Sequence, residues 1–215
     1  GDAKALTIPV YAFDSFPDAP WENLQERRNI VFVAGFAHSP NVDAAIWFVE
    51  KVMPLIHARM PDVHLSLVGS NPTDAVRALA GPWVDVTGFV SDEALASIYD
   101  TSRVAVAPLR YGGGMKGKVI EAMRFGIPCV TSPIGAQGLD DTADFLAVAD
   151  TPEAFAAAVL ELLREDDAWL RSSQASQLFA RHRFSEQALW DVVATDVDPA
   201  PYPDVQARRA RMQST

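Results

Sequence analysis

The densest run of residues able to do chemistry lies between Pro108 and Phe125. Leu109-Arg110-Tyr111-Gly112-Gly113-Gly114-Met115 leads into a helical pattern that opens near Lys116. Consecutive glycines let the backbone take positive φ and come close to a ligand. The first turn of the following helix adds free N–H groups and the positive end of a dipole, both of which favour an anion. Lys116 and Lys118 put mobile positive charge at that same end, and Lys118 and Glu121 share one helical face. A lysine for phosphate beside a carboxylate for ribose hydroxyls is what a nucleoside diphosphate needs. Taken alone, the loop is better read as a glycine turn followed by a solvated Lys–Glu pair.

The elements around this loop give it a place. Short apolar runs at Asn29–Gly35, Val63–Gly69, Trp83–Thr87, Val104–Ala107, Pro128–Ser132 and Phe145–Val148 predict strands. Most are solidly apolar rather than alternating, as strands buried on both faces of a parallel sheet are. Helical stretches predicted at Val42–Met60, Thr73–Ala80, Asp92–Thr101 and Lys116–Phe125 separate them. This alternation predicts an α/β, Rossmann-like, doubly wound parallel sheet of about six strands. Asn41 and Ser91 are the expected N-caps, and Pro54 should bend or split the first helix. Thr151–Arg164, Asp166–Arg181 and Ser185–Thr195 predict a C-terminal helical block. The expected organisation is a linker over residues 1–28, the Rossmann-like domain over 29–195 and an irregular tail over 196–215. In an open parallel sheet, ligands bind beyond the carboxyl ends of the strands, which is where the glycine loop falls.

The wider constellation carries a family resemblance. Gly112-Gly113-Gly114-Met115-Lys116-Gly117-Lys118-Val119-Ile120-Glu121-Ala122-Met123-Arg124-Phe125-Gly126-Ile127-Pro128-Cys129-Val130-Thr131 resembles the donor-binding signature of retaining glycosyltransferases of family 4, two-domain enzymes of the GT-B type. Gly35-Phe36-Ala37-His38-Ser39-Pro40-Asn41-Val42-Asp43-Ala44, Gly88-Phe89-Val90-Ser91-Asp92-Glu93 and Gly135-Ala136-Gln137-Gly138-Leu139 resemble further segments of that family, in the same order. The resemblance runs from about Asn29 to Arg164. It implies that Glu121 holds the ribose hydroxyls and that Lys116 and Lys118 lie near the diphosphate and assist its departure. It further implies that the Gly35 loop approaches the phosphates and that the Val90 backbone meets the base. Gly113, Gly114 and Met115 then present amides to the donor sugar. Two departures stand out: Gly113 occupies a position where the family commonly has a second glutamate, and the first loop lacks a common basic residue.

Other features bound the function. A net charge of −10 and a pI near 4.8 argue against a grip on a nucleic-acid backbone. No stretch approaches a membrane span, and a cytoplasmic location is expected. The lone Cys129 reads as a buried thiol, and His57, His64 and His182 show no metal-ligand spacing. His38 fits a cap or structural hydrogen bond at least as well as a donor contact. Asp196-Val197-Asp198 looks like a metal-binding Asp-x-Asp but lies in a Pro-rich tail, which reads as solvated. Trp47, Phe48 and Ile56 read as core packing.

The expected protein is therefore the donor-binding half of a glycosyltransferase. Its substrate is a nucleoside diphosphate sugar, it needs no cofactor or metal, and its N-terminal acceptor-binding domain lies outside the chain. The start at Gly1, without Met, fits a processed or truncated chain. Two rivals share the fold class: a non-catalytic nucleotide- or partner-binding module, and a flavodoxin-like carrier.

Overall fold

The apolar runs become six strands: β1 (Asn29–Val33), β2 (Leu65–Val68), β3 (Val84–Gly88), β4 (Ser102–Ala107), β5 (Cys129–Thr131) and β6 (Ala147–Val148). The computed structural model describes residues 11–18, 22 and 24–196. All strand pairings are parallel, in the order β3-β2-β1-β4-β5-β6. The order reverses between β1 and β4, so the loops leaving those two strands flank the crevice where such sheets bind ligands.

Alternation along the strands builds the two faces. Ile30, Phe32, Leu65, Leu67, Val104 and Val106 join one apolar cluster with Phe48, Ile56 and Phe155, whereas the equally buried Val31 lies outside it. The cluster side is covered by α1 (Ser39–Trp47), a π-helical segment (Phe48–Val52), α2 (Met53–His57) and α6 (Pro152–Arg164). Phe155 locks that layer with edge-on contacts to Trp47 and Phe48, at 5.8 and 5.7 Å between centroids. Such pairs contribute about 0.5–1.5 kcal/mol each beyond area burial. Elsewhere on the sheet, α4 (Asp92–Thr101) packs on β1 and β4, and α5 (Gly117–Arg124) on β4 and β5. The remaining connection between β2 and β3 carries the short α3 (Asp74–Arg77).

Pro54 acts as expected, but through a π-helical segment. A proline denies its own N–H to the i→i−4 ladder and crowds the preceding turn. The turn just before it widens over Phe48–Val52, and Pro54 then sits in the first turn of α2. The cap assignments divide. Ser91 caps α4 by accepting from the Ala94 amide at 3.3 Å, whereas Asn41 is not a cap. His38 takes the N-cap position of α1 with no side-chain cap bond, which leaves Asn41 buried inside the first turn.

Residues 166–180 of α7 (Asp166–Phe184) pack within the sheet unit through polar side chains. Buried Ser172 and Ser173 donate to the carbonyls of Phe145 and Gly126 at 2.7 and 2.6 Å, and Gln177 donates to Arg124 O at 3.1 Å. Fully buried Trp169 donates its indole N–H to Arg103 O at 2.7 Å. Contacts divide the described residues into two units, 16–180 with the sheet, and 11–15 with 181–196. Within the second, Phe13 N donates to Phe184 O at 2.7 Å and Glu186 N to Phe13 O at 3.0 Å, ahead of α8 (Glu186–Asp196). Of the Asp-x-Asp sequence only Asp196 is described; Val197 and Asp198 lie outside the described residues, as does the tail beyond them. Among the described residues no helix is long and apolar enough to cross a membrane.

Candidate functional site

Three strand-to-helix loops meet at the carboxyl edge of the sheet. Those after β1, β2 and β3 are laced by backbone bonds from Ala34 N to Val68 O (2.8 Å), Phe36 N to Ser70 O (2.9 Å) and Gly69 N to Gly88 O (3.0 Å). Gly69 makes this possible: a Cβ there would lie 1.9 Å from Ala34 O. Gly35 is half-buried in the first of these loops, beside Ser70 and His38. Val90 is half-buried in the third, between the largely exposed Phe89 and the Ser91 cap.

Across the switch point lies the glycine loop. Gly112 and Gly114 take φ of 120° and 75°, conformations that side chains resist, so the loop needs glycine at these two positions. Gly113 has neither a positive φ nor a neighbour where a Cβ would be. Two clamps tie this segment to α1. Arg110 grips Asp43 with both Nε (2.8 Å) and Nη2, the bidentate geometry of strong guanidinium–carboxylate pairs. Lys118 Nζ donates to Asn41 Oδ1 at 3.0 Å, and Asn41 Nδ2 donates to Gly35 O at 2.8 Å.

The two lysines differ from the mobile cations the sequence suggests. Lys116 is buried, and its ammonium donates to Gly113 O at 3.0 Å and to Gly114 O, with longer contacts of 3.5 Å to Gly112 O and Gln137 Oε1. It therefore staples the glycine loop from within, at the N-cap position of α5. Burial lowers its pKa from the ordinary lysine value. Lys118 is half-buried in the first helical turn, and burial, reinforced by the Lys116 charge, lowers its pKa to about 8. A neighbouring anion would remove much of that cost.

Glu121 stands one turn further along α5, half-buried. Burial raises its carboxyl pKa, while the bond from Tyr99 and the Arg124 charge oppose the rise. Tyr99 on α4 donates its hydroxyl to Glu121 Oε2 at 3.3 Å and stacks on Phe125 at 4.6 Å and 15°. Met115 closes the loop against Gly138, where a Cβ would meet Met115 Cε at 3.2 Å. The structure thus links Gly35 to Lys118 through Asn41, gathers Gly113, Gly114 and Met115 around the Lys116 end of α5, and sets Glu121 one turn further along that helix beside Tyr99. Val90 stands on the same edge, in the loop after β3, with the β2 loop between it and the Gly35 loop.

Sequence reading misses Asn41, Asp43, Arg110 and Tyr99. Asp43 and Arg110 are separated by 67 residues and Asn41 and Lys118 by 77, so no local spacing signals them. It also misses a cavity of about 510 Å³ at the amino edge, lined by Arg27, Arg28, Arg103 and Arg164 with Asp62 and Asp166. Its two buried guanidiniums are committed to helix C-termini. Arg27 Nη1 donates to Tyr99 O (2.6 Å) and Ser102 O (3.0 Å), and Arg103 Nε to Leu162 O (2.9 Å). Cations there complement the negative ends of α4 and α6.

Comparison with known proteins gives the class. The family model described as glycosyl transferases group 1 matches residues 27–165, and the chain belongs to that family. Phosphatidyl-myo-inositol mannosyltransferase of Mycolicibacterium smegmatis (strain ATCC 700084 / mc(2)155) is 29% identical over 192 residues, 85% of this chain and 47% of that protein. The chain thus spans about half the length of this relative. Among solved structures, the pneumococcal O-GlcNAc transferase GtfA in complex with UDP and GlcNAc superposes with a TM-score of 0.67 at 20% identity. That match covers 88% of this chain and 39% of GtfA. HepE of Anabaena in complex with UDP and glucose gives 0.66 at 14% identity, covering 86% and 54%. These two likenesses are of fold.

Proposed function

We propose that this chain is the donor-binding half of a retaining glycosyltransferase that transfers a sugar from a nucleoside diphosphate sugar to a saccharide or lipid-linked acceptor. The observation that carries the reading is the crevice between β1 and β4. A backbone loop free to approach a ligand, a lysine whose charge is poorly solvated and a half-buried carboxylate stand there in the order a diphosphate and a ribose require. Family membership and the UDP held by the fold relatives support the same ligand class.

Glu121 accepts the ribose hydroxyls, with Tyr99 holding the carboxylate from behind. Lys118 and the first-turn amides of α5 face the diphosphate. The bond from the sugar's anomeric carbon to the phosphate oxygen breaks, charge develops on the departing diphosphate, and these groups stabilise it. Lys116 contributes its charge from beneath the glycine loop and keeps the amides of Gly113, Gly114 and Met115 turned towards the sugar. The Gly35 loop lies along the phosphates and the Val90 backbone along the base. The acceptor site belongs to an N-terminal domain outside the chain, and the enzyme works in the cytoplasm.

The test is a calorimetric panel of UDP-, GDP- and ADP-sugars against the wild-type chain and Glu121→Ala. One donor should bind, Glu121→Ala should weaken it about tenfold or more, as expected for hydrogen bonds to a charged group, and the chain alone should transfer little sugar. Unchanged binding in Glu121→Ala removes the ribose assignment. Robust transfer by this chain alone removes the missing acceptor half.

A further inference from the structure

Lys118 stands where electrostatics disfavours a cation. Its ammonium lies in the first turn of α5 and reaches the first turn of α1, so the positive ends of two helix dipoles converge on it. Lys116 adds a like charge nearby. One described group accepts a bond from it, the carboxamide oxygen of Asn41, a residue only 8% exposed. That carboxamide has no rotational freedom to spare. Its NH₂ side is fixed by donation to Gly35 O at 2.8 Å, which leaves the oxygen for the ammonium. An amide flip would set oxygen against oxygen and nitrogen against ammonium.

We infer that Asn41 is a positioning residue of the crevice: its carboxamide ties the Gly35 carbonyl to the Lys118 ammonium and so sets where that cation stands between the first loop and α5. A neutral carboxamide is the group this task needs. It accepts from the ammonium without neutralising it, so the positive charge remains available to an incoming diphosphate. A carboxylate in its place would hold the lysine as tightly and spend its charge. The other groups around the ammonium do not do this work. Asp43 of α1 is committed to Arg110, Lys116 is a like charge, Cys129 of β5 is a buried neutral thiol, and Glu121 on the same helix accepts from Tyr99.

The test compares wild type, Asn41→Asp and Asn41→Leu in the 215-residue chain, each first shown to keep the wild-type amide spectrum. The chain has four lysines, Lys4, Lys51, Lys116 and Lys118, so side-chain ¹³C resonances resolve the titration of Lys118 directly. Lys118 should titrate near 8 in the wild type, about one unit or more higher in Asn41→Asp, and below the wild-type value in Asn41→Leu. A residue with a merely structural role moves stability but not this titration. Affinity for whichever of UDP, GDP and ADP the wild type binds should fall about tenfold or more in Asn41→Asp near neutral pH, where the lysine is still protonated but paired.

Identical Lys118 titration in all three proteins overturns the inference. So does a shifted titration in Asn41→Asp with undiminished affinity for the nucleotide that the wild type binds. The affinity measurement rests on the proposed nucleotide site and the titration does not. A wild type that binds none of UDP, GDP and ADP but shows both titration shifts refutes the proposed function while leaving the placement of the ammonium by Asn41 supported. If Asn41→Leu does not fold, the near-isosteric Asn41→Asp decides alone by the direction of its shift.

Discussion

Replacing Tyr99 by Phe isolates one hydrogen bond and tests how Glu121 is held. The ring is 1% exposed and stacked on Phe125, so Tyr99→Phe keeps the packing and removes the hydroxyl that donates to Glu121 Oε2 at 3.3 Å. Hydrogen bonds to charged groups contribute about 1.5–3 kcal/mol. The length observed is well beyond the optimum for O–H···O⁻, so the low end, about 1.5 kcal/mol, applies. The pH dependence has a definite sign. Burial raises the Glu121 carboxyl pKa in the folded chain. The folded state therefore holds that proton to higher pH than the unfolded state, and Glu121's contribution to stability falls as pH rises through the window between the two values. The Tyr99 hydroxyl opposes this by favouring the carboxylate. Its loss should cost the full amount above the folded pKa and about 0.5 kcal/mol, the low end for a neutral bond, once Glu121 is protonated near pH 4. Urea unfolding at that pH and near neutrality reads the difference: with a slope of about 2 kcal/mol per molar, the midpoint should move by roughly 0.7 M near neutrality and by roughly 0.25 M near pH 4. An equal shift at both pH values, or none, would refute a bond made to the ionised Glu121.

Other expectations follow from the same geometry. Gly135→Ala puts a Cβ 1.9 Å from Thr131 Oγ1 and 3.0 Å from Ala107 O, an overpacking that should cost about 2–3 kcal/mol in unfolding experiments. Gly113→Ala, with nothing within 4 Å of the added Cβ, should stay within about 0.5 kcal/mol of wild type. Lys118→Met should raise the melting temperature while abolishing UDP or GDP binding. Because the folded pKa of Lys118 is about 8 against an ordinary 10.5, the unfolded chain binds more protons in that window, so wild-type stability should climb with pH across it and the variant's should not. Arg110→Ala removes a partly exposed pair with Asp43; melting should register under about 1 kcal/mol, and nucleotide titration a several-fold loss of affinity as the glycine loop loses its tether to α1.

The fold is legible where burial writes a period into the chain, and it blurs where a polar residue does buried work. All six strands fall on predicted runs, yet β4 begins at Ser102, ahead of the predicted Val104, because the intervening Arg103 is buried with its guanidinium satisfied by carbonyls and Asp166. β6 shrinks from the predicted Phe145–Val148 to Ala147–Val148 because the amides of Phe145 and Leu146 are taken by Thr142 O. In α7 the buried face carries Ser172, Ser173, Ser176 and Gln177, which no apolar periodicity reveals. The glycine loop and its helix were readable because conformation and charge there depend on local order. The first turn of α1 was not. Asn41 looks like a cap by residue type, and only the chain's return as α5 shows that its carboxamide belongs to Lys118.

Cys129 gives the molecule a use beyond its chemistry. It is the chain's one cysteine, it sits 3% exposed in β5 between β4 and β6, and burial pushes its thiol up to about 12. In the native state it offers neither access nor thiolate to an alkylating reagent. Labelling can proceed only when β5 comes free of its neighbours, so the rate of label uptake clocks the opening of the sheet. Because β5 pairs at Ala105–Ala107 with the strand that delivers the glycine loop, a nucleotide that steadies that loop should slow the clock. The unmodified protein therefore carries its own reporter of ligand-linked breathing, with no probe to engineer.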